Sequence, residues 1–140
     1  MRSLSLFCSL YLFAATEALY AGSATWKVTP TSGDWNTAVN WTPETVPNDP
    51  ADVATFGNSN ATAISLSAQT DVDSVVFDTN ASAFTVSTAA HDLTLFGAGV
   101  VNDSANEQNF VTGLQDGGII HFRNNATAGN ALITVYGDAL

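Results

Sequence analysis

The run "VDSVVFDTNASAFTVST" (72–88) decides how the chain is to be read. In its first half, Val75 and Phe77 fall on one face of an extended backbone, because successive side chains of a strand point to opposite sides. In its second half, Phe84 and Val86 do the same, with Thr85 between them. Asp78, Thr79, Asn80, Ala81 and Ser82 lie between the halves. Asp, Asn and Ser favour turns because their short side chains bond to nearby backbone groups. The apolar period is two, so the reading is strand, turn, strand.

Working outward, the same unit recurs. It appears as "DVATF" (52–56), "TAISLS" (62–67), "DLTLFG" (92–97), "GIIHF" (118–122) and "LITVYG" (132–137). The pairs Ile64/Leu66, Leu93/Leu95 and Ile133/Val135 each set two apolar side chains on one face, with Ser or Thr opposite. No helical period occurs beyond position 26. Many short strands at regular spacing define an all-β protein. A β-sandwich, the alternative, wants longer strands and a Trp-centred core. A β-solenoid wants short strands, small polar corners and a thin apolar column. Val75, Phe77, Phe84, Val86, Leu93 and Leu95 supply such a column, and Phe77, Asn102 and Asn124 recur at a coil-like spacing.

Upstream of the strands lies "MRSLSLFCSLYLFAATEALYAGSATW" (1–26). Arg2, an apolar run from Leu4 to Ala15, and small residues at Ala18, Ala21 and Ala24 have the order of a secretory signal peptide. The run is too short for a membrane-spanning helix, which needs roughly 20 apolar residues. The expected division is a signal peptide over 1–21 with cleavage near 18–24, a capping region over 25–56, and solenoid coils over 57–140. The expected localisation is secreted, extracellular or at the cell surface, with no membrane-spanning segment in the mature chain. Cys8, the sole cysteine, leaves with the leader, so no disulfide framework or thiolate site follows.

Thirteen acidic residues face three basic ones, a net charge of −10. Loss of Arg2 with Glu17 leaves that balance unchanged. Nucleic acid is excluded as a partner, because phosphate binding rests on clustered Lys and Arg.

Two longer stretches, "TSGDWNTAVNWTPETVPNDPADVATF" (31–56) and "VDSVVFDTNASAFTVST", together resemble a bacterial family. The chain is similar to the N-terminal region of secreted passenger proteins with autotransporter-associated β-strand repeats. The resemblance rests on Trp26, Trp35, Asn40–Trp41, the turn Val46–Pro47–Asn48, and Asp52 to Phe56. "SLSAQTDVDSVVF" (65–77) and "LTLFGAGVVNDS" (93–104), with Gly97, Gly99 and Asn102, extend it over about Thr25 to Tyr136. It implies a right-handed parallel β-helix, exported and displayed or released. The family shares no catalytic residues that could be transferred to this chain.

Trp35 and Trp41, in "DWNTAVNW" (34–41), invite two readings. As exposed indoles they would stack on sugars, with Asn36 and Asn40 bonding alongside. As a cap they would cover the first coil, where large rings bury about 150–250 Å² each. The cap reading is preferred, because a solenoid's open end needs protection. Trp26, Asp52, Phe56, Phe77 and Phe84 are expected to be structural, and Gly97 and Gly99 to turn a corner.

No catalytic, cofactor or metal site is expected. Asp49 and Asp52, and Asp71 and Asp73, are turn residues by default. Calcium is the alternative, but no D-x-D-x-D-G loop accompanies them. A polysaccharide lyase or hydrolase would want a base beside its acids, and only Lys27 and Arg123 exist in the mature chain. His91, at a corner, and His121, pointing outward from "IIHF", are too few for zinc. "VTGLQDGGIIHF" (111–122) is expected to turn at Asp116–Gly118. N-x-S/T matches begin at Asn40, Asn60, Asn80, Asn102 and Asn125. In a eukaryotic secretory protein these are glycosylation acceptors. In a chain so rich in Asn, Ser and Thr chance matches are expected, and the bacterial resemblance leaves them without a role.

The function that follows is a non-catalytic structural or adhesion passenger segment meeting glycans or surface molecules. An apolar strand so near Leu140 leads to the expectation that the coils are truncated there, as a fragment or the first piece of a longer protein. Self-association through an exposed solenoid end is a further expectation. The alternatives are a carbohydrate-binding module using exposed tryptophans and a polysaccharide-degrading β-helix enzyme.

Overall fold

In the computed structural model, residues 22–113 and 117–137 are described. The expected signal peptide, Cys8 and the Asp116 end of the expected turn lie outside them. The strands are β1 (Ala24–Trp26), β2 (Trp41–Thr42), β3 (Val53–Phe56), β4 (Ala63–Ser65) and β5 (Thr70–Phe77). They continue as β6 (Thr85–Ser87), β7 (Leu93–Asn102), β8 (Asn109–Thr112), β9 (Ile120–Phe122) and β10 (Leu132–Val135). A single turn of 3-10 helix, Ala38–Asn40, precedes β2.

Two sheets face each other. One runs β2-β1-β3-β5-β7-β9 and the other β10-β8-β6-β4. From β3 onward the chain alternates between them, and every pairing among these strands is parallel. This is a β-solenoid: each circuit places one strand in each sheet, one rung beyond the last. Backbone hydrogen bonds then run along the stacking axis, and identical strand positions stack. Ala54, Val75 and Val100 form one such column. Ile64, Val86, Phe110 and Ile133 form another in the facing sheet.

The apolar side chains of the alternating pattern meet between the sheets. Val75, Phe77, Phe84, Val86, Leu93 and Leu95 are buried as expected, joined by Trp26, Phe56, Val72 and Phe110. Most polar strand residues are exposed or half-buried. Thr88 and Thr112 hydroxyls lie 3.3 Å apart, and Thr112 donates to the Gly118 carbonyl.

Two expectations change. β5 and β7 are eight and ten residues long, more than short-strand reading allowed. Gly97 and Gly99 do not turn a corner between strands; they bend β7 in mid-strand. Val72 pairs with Leu95 and Ser74 with Gly99, so Phe96, Gly97 and Ala98 oppose Asp73 alone. Such a bulge bends one strand while the ladder resumes beyond it. Both glycines are closely approached, and only at Gly99 is the obstacle backbone. Gly97 lies against the Asp73 carboxylate, where a Cβ would collide. Gly99 has φ +84° with its α-carbon against the Thr127 backbone. Asp73 and the Thr127 segment thus explain a kink that strand periodicity hides.

Candidate functional site

The first rung is closed by the residues of "DWNTAVNW" and their neighbours. β1 pairs in parallel with β3, and β2 lies antiparallel on β1 as the last strand of its sheet. That outermost strand is two residues long and runs into Pro43, which has no N–H to offer a further strand. In the other sheet, the free edge of β4 is covered. Ser65 N–H donates to the Gly33 carbonyl at 2.9 Å, and Trp35 N–H donates to the Ser65 carbonyl at 3.0 Å.

Inside this cover, Trp26, Trp35 and Trp41 surround Phe56. Ring centroids are 4.9 Å apart for Trp26–Trp41 and 5.2 Å for Trp35–Trp41, both edge-on. Phe56 lies 5.3 to 5.7 Å from all three indoles. It passes the contact on to Phe77 at 5.4 Å and Phe84 at 5.1 Å. Edge-to-face pairs at such distances suit the ring quadrupoles. Buried indole N–H groups need acceptors, and all three have them. Trp26 donates to the Ala61 carbonyl, Trp35 to Pro47 and Trp41 to Trp35.

The glycan-stacking expectation for Trp35 and Trp41 is therefore corrected. Both are 0 % exposed and present no ring face to a sugar. The two asparagines are also committed. Asn40 is fully buried; its Oδ1 accepts from the Thr31 N–H, Thr31 hydroxyl and Ser32 N–H. Its Nδ2 donates to the Ser32 hydroxyl and the Asp34 carbonyl. Asn36 reaches the next rung, accepting from Ser67 and Ala68 N–H and donating to the Thr70 hydroxyl. Together these groups make a cap. Sequence reasoning missed Asn40 as its hub, since an Asn in a sequon carries no sign of burial.

The remaining candidates do not converge. Asp49 and Asp52 organise their own loop: Asp49 Oδ1 accepts from Ala51 N–H and Asp52 Oδ2 from Asn48 N–H. Asn48 in turn accepts from Asp71 N–H, while Asp71 Oδ1 is buried without a partner. Among the described residues, no three His, Cys, Asp or Glu side chains form a group able to hold a metal. Lys27 is paired with Glu44 at 2.8 Å. His121 Nε2 lies 3.4 Å from Asp92 Oδ2, half-exposed on β9, and His91 sits at a corner as expected. Arg123, at the end of β9, is exposed.

The far end of the stack is unlike the cap. β9 and β10 are the outer strands of their sheets. Exposed large apolar side chains gather there: Ile119, Phe122, Leu132, Val135 and Tyr136. Residues 117–137 contain no Asp or Glu, in a chain with thirteen. Among the described residues no helix is long and apolar enough to cross a membrane.

No family model matches the chain, and no match was found among curated proteins or solved structures.

Proposed function

We propose that this chain is a non-catalytic, exported structural segment: the leading rungs of a surface-displayed or released passenger with a scaffold or adhesion role. The observation that carries the reading is the asymmetry of the stack. One end is sealed by three buried indoles and a short antiparallel strand. At the other, β9 and β10 carry no further strand among the described residues, the arrangement on which further rungs stack. The leader-like order of Arg2, Leu4–Ala15 and Ala18–Ala24 supports export, and the resemblance to passengers with autotransporter-associated β-strand repeats supports the rest.

The work of such a segment is geometric. Stacked rungs hold a fixed spacing of about 4.7–4.9 Å and present outward polar side chains at regular intervals. Partners are then glycans or surface molecules met by that outer face, or a second copy met at the open end. The test is protease shaving of intact source cells, with fractionation and immunodetection of the chain. Loss of the signal on shaving, or recovery from the medium, is expected. Recovery from the cytoplasm alone overturns the reading.

A further inference from the structure

The N-x-S/T matches acquire a pattern once the rungs are laid out. Each circuit crosses from the first sheet to the second at one corner, and each of the four crossings carries one match. Asn60-Ala-Thr lies between β3 and β4, and Asn80-Ala-Ser between β5 and β6. Asn102-Asp-Ser begins at the end of β7, and Asn125-Ala-Thr lies between β9 and β10. The opposite corners, 66–69, 88–92 and 113–119, carry none. The fifth match, Asn40, belongs to the cap.

The structure also sorts the five by availability. Asn60, Asn80 and Asn125 are exposed. Among the described residues none of their side-chain amides makes a hydrogen bond, though the backbones are held: Asn60 N–H donates to the Val28 carbonyl and Asn80 N–H to Asp78 Oδ1. Asn102 is half-buried, and its amide spans its own turn by donating to the Asn106 carbonyl. Asn40 is fully buried with both amide atoms engaged, so a sugar there would break the cap. A corner that needed asparagine only for its turn would use the side chain; three of the four leave it free. These amides stand at one corner of the stack, one rung or more apart, facing solvent.

We propose that the corner between the two sheets is a glycosylation edge, with Asn60, Asn80 and Asn125 as N-linked acceptors. The donor class is a sugar activated as an anomeric diphosphate. Asparagine Nδ2 bonds to the anomeric carbon, the carbon–oxygen bond to the diphosphate breaks, and the diphosphate leaves with the electron pair. One amide proton passes to a base of the transferase. The residue two positions on completes the acceptor motif. The consequence is a hydrophilic fringe along one side of the solenoid. The fringe lies at the corner and not on either sheet face, and at Asn125 it reaches the outermost rung. The proposal does not rest on the passenger reading.

The test is peptide mass spectrometry on the full chain recovered from its native source, with enzymatic amidase release in heavy-oxygen water to mark former glycan sites. Hexose or N-acetylhexosamine on Asn60, Asn80 and Asn125 is expected, with Asn40 bare. A single sugar at each site identifies a nucleotide-sugar donor, and a block oligosaccharide a lipid-linked one. Thr62→Ala and Thr127→Ala are expected to abolish addition at Asn60 and Asn125 while circular dichroism is unchanged. Unmodified asparagine at all three positions overturns the proposal. So does a glycan on Asn102 with the three exposed sites empty.

Discussion

Phe56 is the residue at which the cap and the column become one core. It touches all three indoles on one side and Phe77 and Phe84 on the other. Removing a fully buried phenyl ring loses its transfer energy and leaves a cavity, at about 3–5 kcal/mol. The neighbouring rings are held by indole hydrogen bonds, so the site collapses poorly and the upper part of that range is expected for Phe56→Ala. Urea unfolding followed by Trp fluorescence measures it, because three indoles report on the same site. A loss under 1 kcal/mol would mean that the cap is not packed on the first rung. Gly99 acts through the backbone instead. At φ +84° against Thr127, Gly99→Ala is expected to cost about 1–3 kcal/mol or more. An unchanged unfolding midpoint would show that the bend in β7 does not need glycine.

At the scale of elements, one side chain joins two rungs. Gln108, just before β8, is fully buried; its Oε1 accepts from Phe84 N–H, just before β6, at 2.8 Å. Its Nε2 donates to the Ser82 carbonyl and the Ser104 hydroxyl. Gln108→Ala leaves a buried N–H unpaired, at about 1–3 kcal/mol. Gln108→Glu replaces the donors by an acceptor against carbonyls and is expected to cost at least as much. Amide exchange at Phe84 is the discriminating readout: it accelerates in Gln108→Ala, which removes the acceptor, and much less in Gln108→Glu, whose carboxylate still accepts from the Phe84 N–H. Nothing in the sequence marks Gln108, since its partners are backbone atoms of another rung. What the sequence does carry is the period of two. Val75/Phe77, Phe84/Val86 and Leu93/Leu95 are legible as one face, because burial between sheets requires it. β1, β2 and β8 were not legible. "ATW" and "WT" are too short to show a period, and "NFVT" carries one large apolar residue, Phe110, facing the core. The second half of β7 is hidden by Gly97 and Gly99, which read as turn formers until Asp73 and Thr127 are seen beside them. The cap was legible in outline from two tryptophans near the start, while its hub, Asn40, was not.

For the whole molecule, the two ends set a gradient. In a stack where each rung touches only its neighbours, stability is close to a sum of rung and interface terms. The capped end has an aromatic cluster; the outer strands β9 and β10 expose Phe122, Leu132 and Val135. Amide protection is therefore expected to fall from β3 and β5 toward β9 and β10, measurable by hydrogen exchange with mass spectrometry. Uniform protection would mean that the rungs unfold together. The same asymmetry governs contact between copies. Each carries a net charge of −10, which repels at low salt, while the exposed apolar end has no acidic residue between 117 and 137. The screening length falls from about 30 Å at 0.01 M to about 8 Å at 0.15 M salt. Adding salt across that range is expected to promote association, seen in sedimentation velocity. Charge on an edge strand blocks pairing, so Val135→Lys should suppress the association without lowering the unfolding midpoint, the side chain being 68 % exposed. Association that persists in Val135→Lys, or that weakens with salt, would place the contact on an outer face of the solenoid instead of at its open end.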